Sequence, residues 1–597
     1  MTRHHRRLPM GAERRGQGTR FRLWAPSVDA VFLQLGESEH RLPMTPQEAG
    51  WFECETDAAP PGTAYRFILP DGLAVPDPAS RAQQDDVHGP SLVVDPGAYT
   101  WCHGDWRGRP WEQVVLYELH TGTYSASGDF DGVRKRLREL AELGVTAVQL
   151  MPVADFPGRW NWGYDGVLPF APDRRYGAPE DLKRLVDEAH GLGLMVFLDV
   201  VYNHFGPDGN YLHAYAREFF AADKHTPWGA AIDFGREEVS QFFIENALYW
   251  LEEYRFDGLR FDAVHAIHAA WRGRFLATLA ARVRASISDR HVHLVLENDA
   301  NEAHWMREGF AAQWNDDLHH AAHVLLTGEA AGYYEDYQGD AVALLGRALA
   351  EGFIYQGQHS AHRDGAARGE PTRGLSPAAF VSFLQNHDQV GNRAFGERIH
   401  QLAAPAAVQA VTTAMLLAPQ VPMLFMGEEW LADAPFLYFC DFDEELARAV
   451  REGRRREFRS FPEFSSEAAR ARIPDPGARA TWEASRLTAP PSAAGRQFRD
   501  HVARLLAVRH ARVVPLLDGA PGCPAEVDRW GASGLSVAWR LAGGARLSLV
   551  ANLGDQAAIP PALPAGECLY AWPQPAPLAG QPMAPWSASW WLEAERR

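Results

Sequence analysis

The sequence predicts an α/β protein built around a (β/α)₈ barrel (a TIM barrel), with an immunoglobulin-like β-sandwich before it and a second β-sandwich after it. Three observations predict this. Up to eight nearly continuous apolar strand segments alternate with amphipathic helices through the middle of the 597-residue chain, a rhythm that implies a parallel sheet covered on both faces. The flanking stretches lack that helical period and carry short strands punctuated by Gly and Pro. The middle portion is also too long for an ordinary open sheet but fits a barrel with insertions. The expected domains are residues 1–96, 97–512 and 513–597.

In chain order, residues 18–35 hold two short alternating runs broken at Ala25-Pro26, and residues 62–72 end in the turn signal Pro70-Asp71-Gly72. Residues 75–96, rich in Pro, Asp and Gln, read as a linker packed across a boundary. Barrel strands are then expected at 114–120, 147–153, 195–201, 258–264, 293–298, 378–385 and 421–427. Asp131 is expected to cap a helix whose Val133, Leu137, Leu140 and Leu143 share one face and which ends at Gly144. Further helices are expected at 181–193, 272–287 and 406–418, and one carries Val239, Phe242, Phe243, Ala247, Trp250 and Tyr254 on one face. After a helix at 498–512, residues 535–555 read as a hairpin turning at Gly543-Gly544.

Composition narrows the function. The chain carries 58 Lys+Arg against 76 Asp+Glu, a net charge of −18, which argues against nucleic acid or an anionic membrane as partner. The basic run 451–456 is expected to be a solvated or loop-clamping segment. No apolar run is long enough to span a bilayer. The basic N-terminal segment lacks the apolar core of a secretory signal. Five scattered cysteines without a C-x-x-C pair suit a reducing compartment and offer no zinc site. A cytoplasmic monomer is expected. The chain holds 20 Trp, 17 Tyr and 30 Phe. Trp160, Trp162 and Trp314, in segments that read as loops, are as well suited to sugar platforms as to core. Trp24, Trp586, Trp590 and Trp591 are expected to pack cores.

Carboxylates gather at the C-terminal ends of strands, where barrel enzymes place their sites. These are Asp199, Asp262, Glu297 and Asp388. A lone Asp at a strand end commonly caps a helix; four such strand ends, with His204, Arg260 and His387 nearby, point to chemistry. Arg260 and Asp262 lie two apart and so share one side of their strand. A guanidinium there holds a carboxylate ionised and oriented, as a nucleophile requires. A second carboxyl with a raised pKa completes the inventory for glycoside hydrolysis, and a third stabilises charge on an oxocarbenium-like ring.

The segments DVVYNH, GLRFDAVHA, LVLEND and FLQNHD resemble, in this order, the four signature segments of the α-amylase superfamily (glycoside hydrolase family 13). Within it, FPGRWNWGYDGV, LENDANEA, WNDDLHH, LTGEAAGYYEDY, QNHDQVGNRAFGER and FMGEEW are similar to the maltooligosyltrehalose trehalohydrolases. The resemblance implies Asp262 as nucleophile, Glu297 as general acid/base and Asp388 as transition-state stabiliser. It implies Arg260, His204 and His387 around the sugar at the cleavage point, with Tyr164 stacked on it. Trp162, Asp165, His265, Asp316, His319, His320, Asn386, Gln389 and Arg393 are further candidates for substrate contact. Asn203 matches a calcium-binding position of many members, but the segment that follows it is short and poor in acidic ligands. No metal and no required cofactor are therefore expected.

The implied reaction is cleavage of the α-1,4 bond next to the terminal trehalose of maltooligosyltrehalose, with a synthase as functional partner. Two other readings stand beside it: a glucan branching enzyme sharing the triad, and a non-catalytic carbohydrate-binding scaffold. The scaffold would be expected to lack a triad member, and none is missing.

Overall fold

A computed structural model describes residues 4–226 and 229–594; Met1, Thr2 and Arg3 of the basic N-terminal segment lie outside the described residues. Eight parallel strands close into a barrel. They are β1 (Leu116–Leu119), β2 (Ala147–Leu150), β3 (Met195–Val200), β4 (Gly258–Phe261), β5 (His293–Leu296), β6 (Ala312–Trp314), β7 (Phe380–Ser382) and β8 (Val421–Phe425). Pairing runs in sequence order, and β8 returns to β1 with Met423 opposite Leu116. Seven strands lie within the apolar segments singled out above. The exception is β6, three residues long and followed at once by Asn315-Asp316-Asp317, too short for a period-two pattern to register. Trp314 therefore belongs to a strand and not to a loop.

Eight longer helices surround the strands: α1 (Phe130–Leu143), α2 (Pro179–Gly191), α3 (Glu237–Glu252), α4 (Ala269–Ser286), α5 (Asp316–Thr327), α6 (Ala341–Glu351), α7 (Pro405–Leu416) and α8 (Ala493–Val508). Only a short 3₁₀ turn, Ala303–Arg307, follows β5, whereas both α5 and α6 follow β6. In α1 the expected stripe of Val133, Leu137, Leu140 and Leu143 is buried and Gly144 closes the helix at φ 103°. Its cap is Asp129, which accepts from Gly132 N at 2.7 Å. Asp131 instead pairs with Arg134 and Lys135 on the surface.

The lower barrel interior is apolar: Leu116, Ala147, Met195, Phe197, Val295, Val381, Val421 and Met423 pack there. Gly258 is required at this level, because a Cβ would stand 2.1 Å from the Phe197 ring. Above this layer the inward positions turn polar, with Glu118, Gln149, Asp199 and Arg260 all buried. The floor of the site thus rests on close-packed hydrophobic side chains that hold it rigid.

The N-terminal domain pairs two antiparallel sheets, one of four strands and one of five. It joins the barrel through buried charge: Arg81 lies 3.1 Å from Glu13 and 3.7 Å from Glu253, which also binds Lys183 at 3.2 Å. The C-terminal β domain contains the expected hairpin, Gly534–Arg540 against Arg546–Asn552. It is built as one five-stranded antiparallel sheet, and barrel helices do the work of a second sheet: Trp590 is buried there and donates to Thr413 O of α7 at 2.8 Å. Trp24 is likewise buried, while Trp586 and Trp591 are half-buried.

An insertion follows β8 and carries helix Glu444–Glu457, which contains the basic run. Arg454 of this run is buried and donates to Gly391 O (2.8 Å) and Arg393 O (3.1 Å), clamping the loop beyond β7. Among the described residues no helix is long and apolar enough to cross a membrane.

Candidate active site

Arg260 on β4 organises the site. Its Nη1 donates to Asp199 Oδ2 at 2.7 Å and to Asp262 Oδ1 at 2.8 Å, and Nη2 stands 3.4 Å from Glu297 Oε2. The guanidinium is buried over the Trp314 ring, 4.2 Å from its centroid. Strand register explains the grouping. Asp199 is paired with Arg260 across β3 and β4, and Phe261 with Leu296 across β4 and β5. Asp262 and Glu297 therefore leave adjacent strands on the same rung, about 4.8 Å apart in the hydrogen-bonding direction. With both carboxyls gathered on the one Arg260 guanidinium, at 2.8 and 3.4 Å, the pair has the side-by-side arrangement that a retaining glycosidase uses for nucleophile and acid/base.

The backbone assists. Ala263, directly after Asp262, adopts φ 37°, a left-handed conformation that costs a β-carbon residue on the order of 1–3 kcal/mol. This turn aims its N–H at Glu297 Oε2, which accepts from it. Asn203 Nδ2 donates to Asp262 Oδ2 at 3.1 Å, so both oxygens of Asp262 are held.

A second cation stands across the floor. His387 is buried and lies 2.8 Å from Glu118 Oε1 through Nδ1 and 2.8 Å from the Tyr164 hydroxyl through Nε2. Burial works against its charge, but Glu118 and Asp388 outweigh burial and raise its pKa to about 9. His387 accordingly donates from both ring nitrogens. The Tyr164 hydroxyl passes its own proton toward Asp199 Oδ2 at 2.8 Å, and its ring lies on the imidazole with centroids 5.1 Å apart.

Two carboxyls of this group hold protons unusually well. Burial, and then the neighbouring Asp262, raise Asp199 to about 7 against the pull of Arg260. Glu297 is likewise raised, first by burial and then by Asp262 and Asp388, with Arg260 and His265 opposing. Asp316 at the start of α5 is raised to about 8 by burial and by Glu297, Asp299 and Asp388. Asp388 is the open member, with 44% of its side chain exposed.

The structure brings together Tyr164, His204, Arg260, Asp262, Glu297, His387 and Asp388. His204 contacts the Tyr164 carbonyl (2.9 Å) and Asn203 (2.7 Å), and His265 accepts from Asp299 N beside Glu297. Gln389 reaches Asp316 at 3.4 Å.

Other candidates are committed to the scaffold. Trp162 is buried, stacked on Phe436 and donating to Leu437 O; Trp160 is buried against Trp482. Neither is a sugar platform. Asn386 and Gln389 form a reciprocal cap on the short helix His387–Gly391 that presents Asp388. Asp165 accepts from Asn161. His319 is buried between Leu384 O and the Tyr334 hydroxyl. His320 packs on Tyr333 and Tyr337. Arg393 forms a two-bond pair with Glu329.

Glu118 was not singled out in the sequence, although a Glu within an otherwise apolar barrel strand is itself a signal. Asn203 is engaged with Asp262 and His204, and among the described residues no group of three His, Cys, Asp or Glu is arranged to hold a metal.

Three domain families match: the α-amylase catalytic domain over residues 104–234, the isoamylase N-terminal carbohydrate-binding module 48 over residues 9–78, and a C-terminal domain of unknown function over residues 525–590. A malto-oligosyltrehalose trehalohydrolase of Deinococcus radiodurans is 42% identical over 490 residues, covering 81% of this chain and 80% of its own. A crystal structure from Salmonella typhimurium, provisionally described as an α-amylase, superposes with a TM-score of 0.93 at 43% identity, covering 98% of this chain and 99% of its own. A 1,4-α-glucan branching enzyme of Rhodospirillum rubrum matches only 42% of the chain, at 32% identity. The chain belongs to the malto-oligosyltrehalose trehalohydrolase family, within the α-amylase superfamily of glycosidases.

Proposed function

We propose that this glycosidase cleaves the α-1,4 bond next to the terminal trehalose of maltooligosyltrehalose, with retention at the anomeric carbon. The observation that carries the chemistry is the Arg260 guanidinium, which holds Asp262 and Glu297 on one rung of adjacent strands. The substrate is supported by the trehalohydrolase relatives. Asp262 attacks the anomeric carbon as the bond to trehalose breaks. Glu297, whose hold on its proton is strengthened by burial and like charge, gives that proton to the departing oxygen. Asp388 faces the positive charge that develops on the ring. A water then gives its proton to Glu297 and attacks the same carbon, releasing the shortened glucan from Asp262.

These steps use carboxyls alone and need no cofactor or metal. All the groups come from one chain, which fits action as a monomer, and five unpaired cysteines fit a cytoplasmic setting. A synthase that builds maltooligosyltrehalose would supply the substrate.

Incubation with maltooligosyltrehalose is expected to release free trehalose; its absence sinks the proposal. New α-1,6 branches in amylose would favour the branching reaction instead. Asp262→Ala is expected to abolish turnover while the protein stays folded, because Asp199 still binds Arg260. Substantial residual activity would overturn the nucleophile assignment.

A further inference from the structure

Beyond the short helix that presents Asp388 lies a cavity of about 480 Å³ that the steps above do not use. Its walls come from three segments far apart in sequence: the turn after α5 with Glu329 and Tyr333, the loop after β7 with Asn392 and Arg393, and the insertion after β8 with Phe461 and Phe464. Tyr333 is 40% exposed, one of few large hydrophobic residues left so. Its ring is braced from behind by Tyr334 (4.6 Å) and His320 (5.1 Å). The opposite wall has its own small core, in which Phe395, Phe461 and Phe464 pack around Ala394, Phe458 and Ile473.

The charges at one end of this cavity are neutralised in place. Arg393 binds Glu329 through two bonds (2.7 and 3.0 Å) and also meets Glu397, and Glu329 is held again by His323 at 2.8 Å. Glu463 and Arg472 also line it, so three carboxylates stand against two guanidiniums, and the lining offers hydrogen-bonding edges and aromatic faces with one excess negative charge. An anion would meet that excess of carboxylates, and a purely apolar ligand would strip water from Glu329 and Arg393. An uncharged sugar, with apolar ring faces and hydroxyls around its rim, suits both features.

Position selects which sugar. Asn392 lines the cavity and reaches Asp388 Oδ1 at 3.5 Å. Asn392 lies four positions after Asp388 on this helical turn, or about 6 Å of rise. The proton donor Glu297 directly follows β5, so the departing trehalose leaves on that side. The cavity is walled by the segments after α5, β7 and β8, away from β5, which leaves it to the glucan retained on Asp262.

We propose that this cavity binds the glucan end of the substrate, away from the trehalose, with Tyr333 as its stacking face. The proposal rests on the trehalohydrolase reading above. Trehalose release would be followed for a series from maltosyltrehalose to maltohexaosyltrehalose, in the wild type, Tyr333→Ala and Tyr333→Phe. For the wild type, kcat/KM is expected to rise with glucan length. Tyr333→Ala should lose roughly tenfold on the longest substrate, the scale for uncovering one aromatic face, and markedly less on the shortest. Tyr333→Phe should retain the length dependence, which separates lost stacking from a folding defect. An equal loss at every length, or no loss at any, overturns the proposal. Should the wild type release no trehalose at all, the functional reading fails, and calorimetric binding of maltoheptaose still decides on the cavity. Affinity about tenfold weaker in Tyr333→Ala upholds it as a glucan site; equal affinity rejects it.

Discussion

Replacing Glu118 by Gln removes a buried charge while preserving shape. In the wild type Glu118 accepts from both the backbone N (3.0 Å) and Nδ1 (2.8 Å) of His387. With Asp388 it overcomes burial and lifts the imidazole pKa from 6.5 to about 9. A histidine whose folded pKa lies above its unfolded value stabilises the fold in full below pH 6.5 and loses that contribution as pH rises through about 9. The shift corresponds to about 3 kcal/mol below pH 6.5, about half of that at pH 8 and close to zero by pH 10. In Glu118→Gln the imidazole keeps its burial but loses the main group that favours its charge. Urea unfolding of wild type and variant, followed by tryptophan fluorescence from pH 6 to 10, gives the difference in stability. It should be largest at pH 6 and vanish toward pH 10, because titrations common to both proteins cancel. A gap independent of pH would refute the ion-pair account and leave only a packing defect.

Two other substitutions examine the walls of the site. Asp316→Asn should remove an inflection near pH 8 from the kcat profile, since the wild-type carboxyl gains its charge beside Glu297 and Asp388 in that range; an inflection that persists would assign it to another group. Gly391→Ala should place a methyl 2.1 Å from the Trp162 ring, beneath the helix that carries Asp388. Overpacking of this kind costs about 1–3 kcal/mol, and kcat should fall with the thermal midpoint; an unchanged midpoint would mean that Trp162 is free to move.

The clustering of the carboxyls was legible because two simple regularities locate them. Parallel strands end at one face of the barrel, and alternation puts Arg260 and Asp262 on one side of β4. What stayed hidden depends on partners distant in sequence. Glu118 and His387 are 269 residues apart and meet only once β1 lies near the end of β7. Trp160 and Trp162 sit beside the site in sequence, yet the insertion after β8 covers them with Trp482 and Phe436. Asn386 and Gln389 carry a capping-box pattern that a motif for sugar contact obscures. Local patterns give elements and strand ends; which side a flanking aromatic faces is settled by insertions whose docking no local pattern encodes.

The charges on the barrel floor explain why Glu297 holds its proton more firmly than an ordinary carboxyl, as the acid role proposed for it requires. Glu118, Asp199, Asp262 and Glu297 are four buried or nearly buried carboxyls, and the cations among them are two, Arg260 and His387. Full ionisation would leave an excess of two negative charges over an apolar layer, where unpaired charge is costly. The cations are not shared evenly. Glu118 takes His387, while Asp199 and Asp262 take the two short contacts from Arg260 and leave Glu297 the longest, at 3.4 Å. The shortage therefore falls on Glu297, whose pKa is raised; Asp199 keeps the shortest contact with Arg260, and it is burial, with Asp262 alongside, that raises it. A third cation on this floor would pair Glu297, lower its pKa and remove the proton that the leaving group needs. The acid is set by what Arg260 cannot supply as much as by what it holds.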